Sequence, residues 1–306
     1  MRIGVIGAGA LGLYYGALLQ LGGHDVRFLM RRDFQAVSNQ GLKVTSPKGD
    51  FHLAEVRACS HSREIGPVDL VLVGLKAYAN DQLVALVQPL VTQATTILNL
   101  QNGLGNEEVL ATTFDRQQIV GGVAFLCCNR GDPGTVHHLA QDSIRIAEFV
   151  GEPGTRLEQL AATFSRAGIP CEACADLARI RWEKLVWNIP FNGLCALTGL
   201  PTDRLLACAE TRQLIAELMQ EVIDAANRQN LSQPIEAPGF IERMLQVTAG
   251  MGAYRPSMMI DRLNHQPLEL EAIYQVPLQR AAAAGTPMTR VAMLHALLEA
   301  TENDRD

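Results

Sequence analysis

The first half of the chain alternates short apolar runs with longer mixed ones. Arg2–Ile6 and residues 25–30, 68–76, 95–101 and 118–126 are β-branched or leucine-rich and end in loops, which predicts strands. Helical patterns fill Ala10–Leu21 and residues 81–90 and 105–113 between them. Strands alternating with helices predict a parallel α/β sheet. Residues 41–46 and 51–59, joined by Pro47-Lys48-Gly49-Asp50, read as an antiparallel hairpin, and residues 135–140 with 143–149 as a second one.

Past about Asp176 the strand pattern gives way to helices. Ile215, Leu218, Met219, Val222, Ile223 and Ala226 recur at the three-four spacing of a helix with one apolar face. Gly199-Leu200-Pro201, Gln233-Pro234, residues 252–256 and residues 285–287 punctuate the helical stretches. The fold class expected is therefore α/β, an N-terminal Rossmann-type dinucleotide-binding domain over residues 1–175 followed by an all-helical domain over residues 176–306. No internal repeat or long linker separates them, so a ligand is expected in a cleft between two closely packed domains.

Composition narrows the class. The 306 residues are 48% hydrophobic and 19% charged, ordinary for a globular protein and long enough for two cores. A net charge of −6 with dispersed basic residues argues against bulk nucleic-acid or anionic-membrane binding. No apolar run has transmembrane length, and the opening MRIGVIGAGALG reads as a strand and turn rather than a signal peptide. Seven cysteines without such a peptide predict reduced thiols and a cytoplasmic location.

The clearest local motif is Gly7-Ala8-Gly9-Ala10-Leu11-Gly12, which follows the first strand and opens a helix. In that setting Gly7 makes the tight turn, Gly9 admits a pyrophosphate to the backbone, and Gly12 lets helix and strand pack closely. The helix start supplies unpaired N–H groups and positive potential. At the end of the second strand, where an NAD site carries an acid for the ribose 2′-hydroxyl, stand Met30, Arg31 and Arg32, with Asp33 one step beyond. A guanidinium suits a 2′-phosphate instead, so the cofactor expected is NADP (NADPH). The competing reading is a solvated arginine pair.

A second pattern lies in KLVWNIPFNG, residues 184–193. Lys184, Asn188 and Asn192 recur every four residues on an otherwise apolar helix, forming one narrow stripe roughly 12 Å long. Such a stripe is tolerable against a watery ligand site and costly in a dry core. A surface stripe with the lysine head in solvent is the alternative. Pro190 is expected to kink or loosen this helix and so to affect the aim of Asn192.

Five stretches, GAGALG, LKAY at residues 75–78, QNGLG at 101–105, WEKLVWNIPFN at 182–192 and RPSMMIDRLNHQPLELE at 255–271, together resemble the ketopantoate reductase family. The resemblance runs in register over nearly the whole chain. It implies reduction of ketopantoate (2-dehydropantoate) to pantoate with NADPH, on the route to pantothenate and coenzyme A. It implies further that Lys184 is the general acid and that Glu269 is catalytic, binding the substrate hydroxyl. Asn102, Asn188, Asn192 and Ser257 would bind substrate. The cofactor would meet Gly7, Ala8, Gly9, Ala10, Leu11, Gly12, Arg31 and Lys76, with Asn102 and Glu269 reaching it as well. Alternatives of different kinds are a reductase of another branched 2-keto acid and a non-catalytic NADPH-binding regulator. Expected partners are a small 2-keto acid and, in a homodimer, a second copy.

Several of these residues also have plainer explanations. Ser257 follows Pro256 at a helix start and could be an N-cap, and either Glu269 or Glu271 could be a first-turn acid. Asn102-Gly103 is a common turn pair. The spacing from Ser257 favours Glu269 over Glu271. Thr202 stands where some members of the family carry a substrate-binding asparagine. Cys171-Glu172-Ala173-Cys174 has redox spacing but lies in a strand, and the adjacent pairs His137-His138 and Cys127-Cys128 are poor chelates because strand neighbours face opposite ways. No metal site is expected.

Overall fold

The strands Arg2–Ile6 (β1) and Leu70–Val73 (β6) are apolar almost without interruption and, apart from Arg2, are buried. Central strands of a sheet covered on both faces require that composition. Successive side chains point to opposite faces. Ile3, Val5, Leu70 and Leu72 join one core with Leu13, Leu157 and Phe164, whereas Ile6, Val71 and Val73 join another with Leu83, Val87 and Leu110.

The computed structural model describes residues 1–303. They form two compact units: Met1–Gln101 with Asn106–Leu177, and Asn102–Gly105 with the residues from Ala178 onward. The short loop Asn102–Gly105 thus belongs with the helical residues, so no single cut in the chain separates the units.

In the first unit β1 and β6 are joined by Asp25–Leu29 (β2), Leu42–Thr45 (β3), Phe51–Leu53 (β4), Arg57–Cys59 (β5), Thr96–Asn99 (β7), Ile119–Arg130 (β8), Thr135–Glu148 (β9) and Cys171–Ala173 (β10). The sheet order is β4-β3-β9-β8-β7-β6-β1-β2-β5, with β10 also paired to β9. The run from β8 through β7, β6, β1 and β2 to β5 is parallel. The helices of this unit are Ala10–Leu21 (α1), Phe34–Gln40 (α2), Ser62–Ile65 (α3), Asn80–Val87 (α4), Asn106–Leu110 (α5) and Thr155–Arg166 (α6). This is the Rossmann-type βαβ arrangement.

Two expected hairpins differ. Residues 51–59 do not form one strand. β4 pairs with β3, but the chain then bends, and β5 crosses to the far edge to lie parallel to β2. Residues 135–149 do not turn back either. They make the single strand β9, antiparallel to β8, in which Ala140 opposes Cys127 and Asp142 opposes Leu126, so Gln141 is skipped. Gln141 takes φ +49°, and the polar residues that suggested a turn are absorbed as a bulge.

The second unit is helical: Leu177–Thr198 (α7), Thr202–Ala207 (α8), Ala209–Ala226 (α9), Ala237–Ala249 (α10), Ser257–Leu263 (α11), Val276–Ala283 (α12) and Thr289–Asn303 (α13). The six apolar positions of α9 read from the sequence are all buried, and this helix packs against α8, α10, α12 and α13. Apolar residues on nearly all sides bury α7 in the same core. Pro190 does not end α7, which continues to Thr198. Next to it, the Ile189 carbonyl accepts a 2.8 Å bond from the Tyr274 hydroxyl. Gly193 leaves room for that hydroxyl, because a Cβ there would stand 2.4 Å from it. No helix among the described residues is long and apolar enough to cross a membrane.

Candidate active site

The glycine loop between β1 and α1 meets the demands of a dinucleotide turn. Gly7 has φ +98°, and a Cβ on it would come within 2.4 Å of the Leu75 backbone nitrogen. A Cβ on Gly12 would stand 2.1 Å from the Gly7 carbonyl oxygen, so close passage of helix over strand depends on its absence. Gly9, by contrast, faces open space. Ala10 and Leu11 begin α1, whose first turn carries no acid to compete for its N–H groups, and Ala8 lies between the two turn glycines. An anion can approach this turn closely without displacing a side chain.

At the end of β2, Arg31 is exposed, and its side chain makes no ion pair or hydrogen bond among the described residues. Arg32 is engaged, donating to the Gly131 carbonyl at 2.6 Å. Asp33 is buried, accepting bonds from the Arg130 guanidinium and, at 3.1 Å, from the Gly134 backbone N–H. The acid one step beyond the strand is therefore committed to holding the turn between β8 and β9. Lys76 follows β6 at its carboxyl end, at the start of a short 3-10 turn, and is half-buried.

In the helical unit the stripe on α7 runs from a half-buried Lys184 to Asn188 and Asn192, which are 4% and 2% exposed. Lys184 Nζ donates to Asn102 Oδ1 at 2.7 Å, and Asn102 Nδ2 donates towards Glu269 Oε2 at 3.4 Å. One carboxamide thus connects an ammonium to a carboxylate, each group in the polarity it requires. Asn102 is held there by backbone packing. Leu104 N–H donates to the Ala272 carbonyl at 2.9 Å, and Gly103, at φ +84°, would collide with that carbonyl if it carried a Cβ. The bend at Gly103 serves this approach to another part of the chain.

Glu269 is 1% exposed, whereas Glu271 is exposed and opens a π-helical turn, Glu271–Gln275, that leads into α12. Ser257 is the first residue of α11 with Pro256 at the cap, and its hydroxyl makes no cap bond. Instead Asn192 Oδ1 accepts the Met258 backbone N–H at 3.0 Å and lies 3.5 Å from Ser257 Oγ. The capping group comes from another helix, 66 residues away in sequence. The side chain of Asn188 makes no hydrogen bond with the other described residues.

Residues outside the expected set also shape this region. The Trp187 indole donates to Thr248 Oγ1 at 2.8 Å, its ring lies near Phe191 and Tyr254, and Thr202 is wholly buried against the segment before α11. Only the periodicity of α7 hinted at Trp187, and nothing local pointed to Thr248. Three of the cysteines are held as protonated thiols. Burial pushes the thiols of Cys128, Cys171 and Cys195 up to about 12, with Cys174 and Glu172 adding to the shift at Cys171. Among the described residues no group of three or more His, Cys, Asp or Glu side chains is arranged to hold a metal.

Comparisons with known proteins agree over both units. Residues 3–151 match the family described as ketopantoate reductase PanE/ApbA, and residues 176–302 match its C-terminal part. A 2-dehydropantoate 2-reductase of Nostoc sp. is 40% identical over 299 residues, spanning 96% of this chain and 93% of that protein. The crystal structure of 2-dehydropantoate 2-reductase from Geobacter metallireducens superposes with a TM-score of 0.97 at 54% identity, covering 98% of this chain and all of that one. The corresponding structure from Methylococcus capsulatus gives 0.88 at 30% identity, covering 99% and 97%. With these similarities across both of its units, the chain belongs to the ketopantoate reductase PanE/ApbA family.

Proposed function

We infer that the chain reduces 2-dehydropantoate to pantoate, with NADPH as the reductant and a small 2-keto acid as the substrate class. The observation that carries this reading is the linked set Lys184–Asn102–Glu269, an oriented ammonium tied through a carboxamide to a buried carboxylate. NADPH supplies the hydride that adds to the C2 carbonyl carbon. As that bond forms, negative charge develops on the carbonyl oxygen. Lys184 meets it first with positive charge and then with one of its N–H protons, completing the alcohol. The neutral amine left behind regains a proton from water.

Asn102 fixes the ammonium so that little reorganisation is needed when charge develops. Glu269 accepts the substrate hydroxyl and, through Asn102, keeps the ammonium aimed. Asn188, Asn192 and Ser257 bind the remaining hydroxyl and carboxylate groups. On the cofactor side Gly7 to Gly12 receive the pyrophosphate and Arg31 the 2′-phosphate. Lys76, Asn102 and Glu269 would also contact the cofactor. On this reading residues 1–175 would hold the cofactor and residues 176–306, together with the Asn102 loop, the substrate. Seven free cysteines suit a reducing cytoplasm.

The test is steady-state oxidation of NADPH on addition of 2-dehydropantoate, with 2-ketoisovalerate in parallel. Preference for 2-dehydropantoate is expected. Faster turnover of 2-ketoisovalerate would reassign the substrate, and no turnover of either would leave only cofactor binding.

A further inference from the structure

Ser257, a proposed substrate ligand, sits at the end of an irregular segment. Residues 250–256 link α10 to α11 with no regular hydrogen-bond ladder, and Gly252 takes φ +64°. Left to itself such a segment samples many conformations, and the first residue of α11 moves with it.

Thr202 removes that freedom. It is 0% exposed, at the start of α8. Its backbone N–H donates to the Tyr254 carbonyl at 3.0 Å, and its hydroxyl donates to the Gly252 carbonyl at 3.0 Å while lying 3.3 Å from that of Tyr254. One buried residue therefore holds two carbonyls of the segment, three and five positions before Ser257. From the other side the Tyr254 ring lies 6.2 Å from that of Trp187, the α7 residue next to Asn188, and Trp187 is itself fixed to Thr248 at the end of α10. Beyond Pro256, Asn192 receives the first turn of α11.

We propose that Thr202 is a positioning residue for substrate: it pins the 252–254 segment so that Ser257 meets the 2-keto acid in a fixed place. The proposal rests on the reading of Ser257 as a substrate ligand. Thr202 itself touches the segment's backbone rather than the substrate, so its loss weakens binding more than the chemical step.

The test compares Thr202→Val, which keeps the shape and backbone N–H but deletes the hydroxyl, with Thr202→Ser, which restores it. Thr202→Val should raise KM for 2-dehydropantoate about five- to tenfold, the scale of one lost internal hydrogen bond, with kcat within about threefold and NADPH affinity unchanged. Thr202→Ser should return KM to within about twofold of the parent. In a Ser257→Ala background the added effect of Thr202→Val should largely vanish, because the two changes act through one contact. Hydrogen exchange should quicken in residues 250–258 of Thr202→Val and nowhere else. Thr202→Cys, a weaker donor of similar size, should give an intermediate KM and serves if the valine variant does not fold. An unchanged KM, unchanged exchange in 250–258, or an undiminished effect in the Ser257→Ala background overturns the proposal. If the parent protein fails to turn over 2-dehydropantoate, the functional reading falls instead, and the exchange measurement still decides whether Thr202 pins the segment.

Discussion

Replacing Arg31 by alanine isolates cofactor choice, because this side chain has no bond within the described residues to lose. Whatever Arg31→Ala costs is therefore the contact with ligand. A hydrogen bond to a charged group contributes about 1.5–3 kcal/mol, and an exposed, screened pair falls at or below the low end. The expected loss is about 1.5 kcal/mol, roughly a tenfold rise in the Kd of NADPH. NADH lacks the 2′-phosphate, so its Kd should change by less than about twofold on the same argument. The assay is fluorescence titration of both nucleotides against parent and variant at low and at physiological salt, with the NADPH effect shrinking as salt rises. Asp33→Ala is the control. That carboxylate holds Arg130 and the Gly134 N–H, so its removal should lower Tm without shifting the preference between nucleotides. Equal weakening of NADPH and NADH by Arg31→Ala, or equal affinity of the parent for both, would refute the reasoning.

Glu269→Ala should cut kcat by about a hundredfold, the scale of a lost preorganised electrostatic partner, whereas Glu271→Ala, which alters an exposed side chain, should leave steady-state rates within about threefold. The reverse order of effects would move the carboxylate role to Glu271. Burial keeps the thiols of Cys128, Cys171 and Cys195, pushed up to about 12, protonated at neutral pH, so mass spectrometry after iodoacetamide should find exposed Cys208 alkylated well before them. Their labelling should rise only as the pH climbs towards those values, and fast labelling of Cys171 at neutral pH would contradict its burial.

The parts of the molecule that were legible in the sequence are those specified locally. Strand β6 is apolar throughout and β1 nearly so, α1 begins at a glycine turn, and the polar stripe of α7 repeats every four residues, so each is written within a dozen positions. The features that escaped depend on distant partners. Strand β5 pairs with β2 some 30 positions earlier, which no short-range pattern encodes. The turn signal in β9 is real, but β8 opposite continues through it and converts it to a bulge. Asp33 stands one step beyond the place where an NAD site carries its acid, and Arg130 and the Gly134 N–H, 97 and 101 residues away, draw it into the interior. Within the candidate site the spacing of Lys184, Asn188 and Asn192 was readable. The bond from Lys184 to Asn102 spans 82 residues and that from Asn102 to Glu269 spans 167, so only the folded chain joins them. Ser257 had the sequence of an N-cap, yet Pro256 occupies the cap and Asn192 supplies the acceptor.

The central claim is that Lys184 protonates the carbonyl oxygen, and the most direct measurement is kcat of Lys184→Ala at saturating NADPH and 2-dehydropantoate, beside a check that the variant is folded. The half-buried ammonium donates to Asn102 at 2.7 Å and belongs neither to the glycine loop nor to the apolar core of the helical unit, so its removal leaves both untouched. A fall in kcat of about 10²–10⁴-fold is expected, the usual scale for a positioned acid, with Kd for NADPH nearly unchanged. Lys184→Arg should rescue poorly, since a guanidinium keeps the charge but releases its proton reluctantly. A Lys184→Ala enzyme that turns over within about threefold of the parent would contradict the account, because on that scale no acid has been removed.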